Sequence, residues 1–533
     1  MRTSTACLQC RTAKRKCTRD QGNGPCNQCH QRQVSCSKAI VRQHSQQLQT
    51  NVLNLPSSAE AVVEAVRHPY STEVFDLVDL YFDYIHDKPH ILFHESTLKT
   101  SVRNGSVSRT VLLSLIAISA RFSDNPTVRA LGPAYAQGSK ACFKADLENV
   151  CIENTQAAIV IANICLAEGD SRAESLYYAL AIRMAQMLDL ASGNENDDGI
   201  TRELKRRIWW TCFIVDIWSS GGGSLARQLQ VGEHQPRLPL EEITFLELQP
   251  GERDLGDAAW KTGIWSHMVR MIELYKEIQD LLRYLVATTQ WDEDFIENTV
   301  HGLAVRLLAF EERLGPELTF SAENVARHAR RGTGRLFTGF HLGYQYYCMV
   351  LFYQYLDKSR PSTRNGAAYA DRCKLHARRF CDILRTARQW PKAEALHNIN
   401  AHITIVSSSV LLHNYMFGDA SELADTQARL ESNLEFMVKL RRYWPSVELV
   451  INRLNVFLRS CVSSTSKNTH RFDKWMVKFL QEYSMTLAEK KEEEPRSPQS
   501  QMDAYEYGFS QRNLTMQGVI STYGSDRTVN YGF

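Results

Sequence analysis

Six cysteines within the first 36 residues constrain the N-terminal fold of this chain more than any other feature of its sequence. They form the unit C-x2-C-x6-C twice, with eight residues between the two units. The positions are Cys7, Cys10, Cys17, Cys26, Cys29 and Cys36. No apolar secretory segment is visible at the N-terminus, so we expect a reducing compartment, in which closely spaced cysteines bind metal rather than form disulfides. Zinc is the usual ion at a tetrahedral site made of thiolates alone.

The number of cysteines predicts two zinc ions per chain. One ion would leave two cysteines unused, whereas two ions need eight ligand positions, which six thiolates supply only if two of them bridge both ions. The duplication points to the first cysteine of each unit, Cys7 and Cys26, as the bridges. A RING or LIM site would need eight separate ligands, and only His30 could add to the six. Because His30 directly follows Cys29, we interpret it as a surface residue.

Positive charge is concentrated around this cysteine cluster. The first 50 residues carry nine Lys and Arg against one acid, a net charge of +8, although the whole chain has a net charge of only +3. Four cations lie between the second and third cysteines of the first unit, whereas the matching gap of the second unit holds only Arg32. The first unit therefore has the donors for guanine edges and phosphates, and we expect it to enter the major groove of DNA.

These features resemble the fungal binuclear zinc cluster, Zn(II)2Cys6, family of transcription factors. The resemblance rests on the cysteine spacing, on the pattern formed by Arg11, Lys14 and Lys16, and on Pro25 just before the fourth cysteine. It implies a zinc-dependent module that binds double-stranded DNA at CGG-like sites.

The resemblance also implies roles for individual residues. The first and fourth cysteines bridge the metals in this family, which are Cys7 and Cys26 here and agree with the ligand count. The family's triplet-reading lysine corresponds to Lys14, but Ala13 stands where many members carry a second basic residue. The predicted DNA contacts are base contacts from Lys14 and Arg15, and phosphate or supporting contacts from Arg11, Lys16 and Arg19. We assign residues 1–40 to this DNA-binding domain.

Residues 41–69 are predicted to form a linker. Val41, Leu48 and Leu55 are spaced by seven, but Pro56 ends the run long before the three or four heptads of a coiled coil. A flexible tether therefore fits better than a zipper, and monomeric binding and a homodimer both stay open.

The apolar spacing over residues 70–485 predicts a large all-α body. One apolar stripe is formed by Leu176, Leu180, Met184 and Met187, at spacings typical of one helix face. Such stripes are usually core packing. We also interpret the eight cysteines beyond the cluster as buried small hydrophobic residues.

Part of this body, about residues 75–285, resembles the fungal-specific transcription factor domain, also called the middle homology region. The more specific stretch pairs Arg206 and Arg207 with Trp209 and Trp210, followed by Asp216. We interpret the arginines as the charged flank of a helix and the tryptophans as a buried pair. The resemblance adds a candidate role for the surrounding helices, the enclosure of a small-molecule effector.

The motifs and the apolar runs of the sequence predict neither an enzyme nor a membrane protein. The sequence lacks G-x-S-x-G, the phosphate-loop motif and H-E-x-x-H, and no apolar run reaches the roughly 18 residues of a membrane span.

From residue 486 to 533 the composition changes to a charged, Pro-bearing segment and then to acids alternating with aromatics. This predicts a disordered tail, which is either inert or a short activation segment for transcriptional coactivators.

Together these features predict a nuclear, zinc-dependent, sequence-specific DNA-binding factor that regulates RNA polymerase II transcription of a fungal metabolic or biosynthetic pathway. The competing hypothesis is a zinc-stabilised module that binds acidic proteins or RNA.

Overall fold

The computed structural model describes residues 10, 16–18, 26–31, 72–87, 90–483, 487 and 504–524, apart from gaps at 195, 222–224, 230–234, 257–258, 289, 359 and 464–471. The chain divides into two compact units, Met1–Arg67 and His68–Phe533. The predicted linker at residues 41–69, with its heptad positions, lies outside the described residues.

The N-terminal unit contains one described short helix, α1 (Asn27–Gln31), which begins directly after Cys26. Its first residue, Asn27, donates its backbone N–H to the carbonyl of Thr18 at 3.0 Å. This bond joins the chain after the first cysteine unit to the beginning of the second.

The larger unit is all-α, as predicted. Its described residues form no sheet, and their β-type pairings are two isolated bridges, His86 with His90 and Leu240 with Thr262. The helices are α2 (Thr72–Tyr84), α3 (Glu95–Arg103), α4 (Arg109–Ser119), α5 (Pro126–Ala145), α6 (Ile152–Glu168), α7 (Ser171–Met187), α8 (Gly199–Ser219), α9 (Glu242–Glu247), α10 (Ile264–Ala287), α11 (Glu293–Glu312), α12 (Ala322–Arg330), α13 (Gly334–Phe352), α14 (Gly366–Arg388), α15 (Ile399–Phe417), α16 (Leu423–Arg441), α17 (Val447–Ser463), α18 (Lys474–Gln481) and α19 (Ala504–Gly524).

Capping residues set the beginnings of several helices. Asp170, Asp198 and Asp292 precede α7, α8 and α11, and each carboxylate accepts a hydrogen bond from a backbone N–H of the first turn. Such a cap satisfies a donor that has no partner within the helix, and a carboxylate there also interacts favourably with the helix dipole.

Two helices, α13 and α15, form the centre of the unit. Nearly every residue of both is buried, and they pack against each other. Helix α13 also contacts α10, α11, α12 and α14, so it is covered on all sides. A helix that is apolar around its whole circumference requires such a position.

The stripe predicted on α7 is only partly a core face. Met184 is buried and Leu180 is half-buried, but Leu176 and Met187 are 58% and 65% exposed. The buried side also carries Tyr177, Tyr178 and Ile182. The helix buries the face with the two tyrosines and the isoleucine, because this removes more apolar surface from water than burial of Leu176 and Met187 would.

Part of the segment predicted to be disordered, residues 504–524 of 486–533, forms helix α19. Helix α19 packs against α15, α16 and α17, and Met516 and Ile520 are fully buried. Arg512 donates to the carbonyls of Tyr415, Met416 and Gly418 at the end of α15, where helix carbonyls have no partner within the helix. The apolar and cationic residues are spread thinly over this segment, so its docking surface could not be recognised from composition.

The cysteines of the larger unit follow the prediction with two exceptions. The buried ones are Cys165, Cys212, Cys348, Cys373 and Cys381, while Cys142 and Cys151 are half-buried. The side chain of Cys461 lies outside the described residues. Burial raises the pKa of Cys165 to about 11, so its thiol is a poor nucleophile.

Among the described residues, no helix has the length and apolar character needed to span a bilayer.

Candidate functional site

Three of the predicted zinc ligands converge in the N-terminal unit. The sulfur atoms of Cys10, Cys17 and Cys26 all lie within 4.8 Å of one another. The sulfurs of Cys10 and Cys26, sixteen residues apart, are separated by 3.5 Å. Two thiolates on one tetrahedral zinc are about 3.8 Å apart, given a zinc–sulfur bond of about 2.3 Å. The three thiols therefore have the spacing of ligands to a shared ion.

The surroundings of these thiols agree with metal binding. Cys10, Cys26 and Cys29 are almost completely buried and pack together, with the half-buried Cys17 against them. A short segment with such a small core needs metal ligation or cross-links to hold one structure. Cys26 comes from the second cysteine unit but joins two cysteines of the first, which is the position that a bridging ligand requires.

Two of the other predicted ligands and most of the predicted DNA contacts lie outside the described residues. They are Cys7 and Cys36, together with Arg11, Lys14, Arg15 and Arg19. Of the predicted DNA contacts, Lys16 is described, and its side chain is exposed beside Cys17. Cys29 is buried next to the three converging thiols but is not within the same close group.

In the larger unit, the predicted charged flank on α8 is wrong. Arg206 and Arg207 are 7% and 0% exposed and share Glu203, whose carboxylate lies 3.1 Å from Arg206 Nη1 and 2.8 Å from Arg207 Nε. Arg206 also pairs with Asp254, and Arg207 lies over the ring of Phe245. Sequence spacing placed the arginines on an outer face because it could not show that the chain after α8 folds back over them.

The contact between Arg206 and Asp254 changes the pKa values of both groups. Burial by itself would lower the pKa of Arg206, but the hydrogen bond to Asp254 and the charge of Glu203 raise it above its ordinary value. Burial by itself would raise the pKa of Asp254, and the hydrogen bond to Arg206 outweighs it, so this pKa is lowered. Both groups are therefore charged at neutral pH, and the cluster is a structural clamp.

The tryptophan pair and Asp216 also serve the local structure. Trp210 is buried and donates Nε1–H to the carbonyl of Arg237 at 3.0 Å, whereas Trp209 is only half-buried. Asp216 accepts the backbone N–H groups of Gln228 and Leu229 at 2.8–3.0 Å, so it closes the loop after α8. This arrangement corrects the prediction that both tryptophans are buried.

A cavity of about 100 Å³ lies inside the larger unit, beside the second half of α8. Ile214, Val215 and Trp218 form one wall, and residues of α10, α13 and α15 form others. Arg206, Arg207 and the tryptophan pair are not among its lining residues. Sequence reasoning missed this cavity, although Gly339 and Gly343, one turn apart in an apolar helix, were a usable signal.

Comparison with known proteins points to transcription factors. The fungal specific transcription factor domain matches residues 78–283, which run from α2 to α10. The Zn(2)-C6 fungal-type transcription factor FTF1c of Fusarium oxysporum f. sp. lycopersici is 22% identical over 431 residues, which cover 73% of this chain and 46% of that protein. FTF2 of the same fungus is 22% identical over 432 residues, covering 73% of this chain and 40% of that protein.

A third relative covers more of the chain. An uncharacterized transcriptional regulatory protein of Schizosaccharomyces pombe is 23% identical over 556 residues, covering 85% of this chain and 56% of that protein. The chain thus matches between 40% and 56% of the length of these three relatives. Proteins of this family are generally not enzymes. With the converging cysteines, these comparisons confirm the resemblance: the fungal specific transcription factor domain matches part of the chain, and two of the three relatives are named as Zn(2)-C6 fungal-type transcription factors.

Proposed function

We propose that this protein is a zinc-dependent, sequence-specific DNA-binding regulator of RNA polymerase II transcription that acts in the nucleus, in a fungal metabolic or biosynthetic pathway. The observation that carries the proposal is the convergence of Cys10, Cys17 and Cys26 at the spacing of ligands to one ion. The names of the relatives and the matched domain support the same function.

The proposed metal centre holds two Zn²⁺ ions on six thiolates, with Cys7 and Cys26 as bridges. When bound, zinc cross-links a segment too small to form a core of its own and so supplies most of its folding free energy. The cluster has a net charge of −2, which the surrounding cations offset, and the first 50 residues stay strongly positive.

The proposed DNA contacts follow from the charge on the first cysteine unit. Lys14 and Arg15 contact guanine edges of a CGG-like triplet, because Lys and Arg donors match the O6 and N7 acceptors in the major groove. Arg11, Lys16 and Arg19 bind phosphates or brace the loop. The exposure of the Lys16 side chain agrees with this role.

The all-α body, residues 70–485, and the segment 486–533 would carry the regulatory contacts. The candidate partners are a second copy of the chain, transcriptional coactivators that bind the segment 486–533, and a small-molecule effector. The absence of a catalytic motif in the sequence supports a regulator rather than an enzyme.

Selection of random double-stranded DNA by the zinc-loaded full chain tests the proposal. Enrichment of a CGG-like triplet is expected, and two triplets at a fixed spacing would establish a homodimer. The matched control is the Cys26→Ser variant, which should enrich no sequence. If the intact protein enriches no DNA sequence but binds RNA or acidic proteins, the competing hypothesis of a zinc-stabilised interaction module is correct instead.

Salt dependence gives a second measure. Affinity for the selected site should fall steeply with salt because phosphate contacts release counterions, while the preference for that site over bulk DNA remains large. A preference that disappears together with the affinity would contradict sequence-specific binding.

A further inference from the structure

The cavity beside α8 is enclosed by helices from four parts of the larger unit. Trp218, Met271, Tyr347 and Ile403 come from α8, α10, α13 and α15, and their side chains are apolar or aromatic. A cavity of about 150 Å³ with walls of this kind binds benzene-sized molecules in other proteins. At about 100 Å³, the present cavity has space of the same order.

Two glycines of α13 keep this space open. A Cβ atom at Gly339 would lie 3.8 Å from the Cβ of Ala395, and one at Gly343 would lie 3.3 Å from the Cε of Met271. All four residues line the cavity, so side chains at the two glycines would narrow it. Glycine inside a helix is about 1 kcal/mol less favourable than alanine. Helix α13 therefore has two residues of low helix propensity at positions where a larger side chain would narrow the cavity.

A buried cation also lines the cavity. Arg335 is 8% exposed, donates to the carbonyl of Asp83 and lies 4.2 Å from the ring centre of Tyr84. Its Nε is buried without a hydrogen bond, and no carboxylate in the described part of the chain forms an ion pair with it. Asp87 lines the same cavity, but its carboxylate lies 3.3 Å from His86 Nε2.

A buried guanidinium without a carboxylate is costly, because its loss of hydration is not offset by an opposite charge. The arginines of α8 show the contrast: Arg206 and Arg207 are buried at least as deeply, and both pair with Glu203. An anionic group from outside the chain would supply the missing charge at Arg335. The apolar walls restrict the rest of such a ligand to a small hydrophobic body.

We propose that this cavity binds a small apolar carboxylic acid as its anion, with the carboxylate on Arg335 and the hydrophobic body beside Gly339 and Ala395, about one turn further along α13. The size of the cavity limits the ligand to about the size of benzoate or hexanoate. The inference names a ligand class for the effector in the proposed function. Binding of the ligand does not depend on that function, whereas its role in regulation rests on it.

Binding of benzoate to the full chain tests the proposal without DNA. Isothermal titration calorimetry should report saturable binding. Benzyl alcohol has the same ring without the charge and should bind about tenfold more weakly or worse, because a hydrogen bond to a charged group is worth about 1.5–3 kcal/mol. Equal affinity for the two probes, or no saturable binding of benzoate at millimolar concentration, would overturn the proposal.

Two variants place the ligand in this cavity. Arg335→Met removes the charge at similar volume and should abolish the preference for benzoate over benzyl alcohol. Because Arg335 also holds α2 through Asp83, the second variant leaves it intact: Gly339→Ala with Gly343→Ala narrows the cavity and favours the helix. This double variant should keep or raise the melting temperature and lose most of the affinity for both probes. Unchanged benzoate binding in either folded variant would overturn the proposal.

The outcomes separate this inference from the proposed function. A protein that binds benzoate at the cavity but selects no DNA keeps the ligand site and loses the DNA-binding function. A protein that selects DNA but binds no benzoate keeps the function and loses the ligand site.

Discussion

Glu203 and Arg207 lie one turn apart on α8 and form an ion pair of 2.8 Å in the interior of the larger unit, with about 1% of each side chain exposed. The Glu203 carboxylate also accepts from Arg206 and from the backbone N–H of Leu240. It therefore joins α8 to the chain just before α9. The free-energy cost of desolvating this buried carboxylate is offset only when all of these donors are in place.

Replacing Glu203 with Gln should lower the free energy of unfolding by about 3 kcal/mol or more, because Arg207 would remain buried without an opposite charge. Urea unfolding of the full chain measures the loss. The matched control is Glu277→Gln, which removes the exposed pair with Arg306 and should cost less than about 1 kcal/mol. Similar small losses in both variants would contradict a clamp at Glu203.

Replacing Cys26 with Ser should release bound zinc and unfold the N-terminal unit, because Cys26 lies with Cys10 and Cys17 in one ligand group. Elemental analysis of the purified protein measures the zinc content. The control, Cys142→Ser, changes a half-buried cysteine outside this group and should leave the zinc content unchanged. Full zinc occupancy in the Cys26 variant would refute the proposed bridge.

Lys14→Ala and Lys16→Ala should weaken DNA binding in different ways. Loss of a base contact at Lys14 should cost about 1–3 kcal/mol at one position of the site and relax its sequence preference. Loss of a phosphate contact at Lys16 should weaken all sequences alike and reduce the salt slope by about 1. Fluorescence anisotropy over a salt series separates the two effects. Identical changes in preference and slope would show that the roles are misassigned.

Four buried histidines should make the larger unit sensitive to acid. Burial lowers the pKa of His90 to about 4 and the pKa values of the other three, His341, His376 and His402, to about 3. In the unfolded chain these groups have pKa values near 6.5, so below that pH the unfolded state binds more protons. Stability should therefore be intact above pH 6.5 and fall steadily as the pH drops toward 3–4.

One histidine variant tests this titration. His376 donates Nδ1–H to Gln345 at 2.7 Å, and His376→Asn can retain that donor without a titrating group. The loss of unfolding free energy between pH 7 and pH 5 should be smaller by about 2 kcal/mol in this variant. The control is His301→Asn at an exposed position, which should leave the loss unchanged. An equal acid sensitivity in His376→Asn and the unaltered protein would exclude this histidine as a cause.

Arg512 should hold α19 against the end of α15. Without the guanidinium, the carbonyls of Tyr415, Met416 and Gly418 lose their donor, so Arg512→Ala should increase local opening of α19. Hydrogen exchange over residues 504–524 measures this opening. Leu514→Ala is the control on the same helix, since Leu514 is 61% exposed, and should exchange like the unaltered protein. Unchanged exchange in the Arg512 variant would mean that Met516 and Ile520 are sufficient to dock the helix.

The residues of α7 and α8 show where sequence reasoning succeeds and fails. Helical spacing predicted both helices, because the apolar period is a local property of the chain. The outward positions of Leu176 and Met187 and the burial of Arg206 and Arg207 were not predicted. Which face of a helix is buried depends on the elements that cover it, and these come from distant parts of the sequence.

By itself, the sequence determined the helical character of the larger unit and the resemblance to zinc cluster transcription factors, because helix periodicity, cysteine spacing and ligand count are local chemical constraints. The tertiary structure decided that Glu203 neutralises two buried arginines, that Gly339 and Gly343 face a cavity beside Arg335, and that α19 docks on α15. The Glu203 pairs and the two glycines each lie within one helix, but the residues that cover or face them come from distant parts of the sequence, as does the surface on which α19 docks. These relationships depend on how all the helices pack together to remove apolar surface from water, which no local pattern contains.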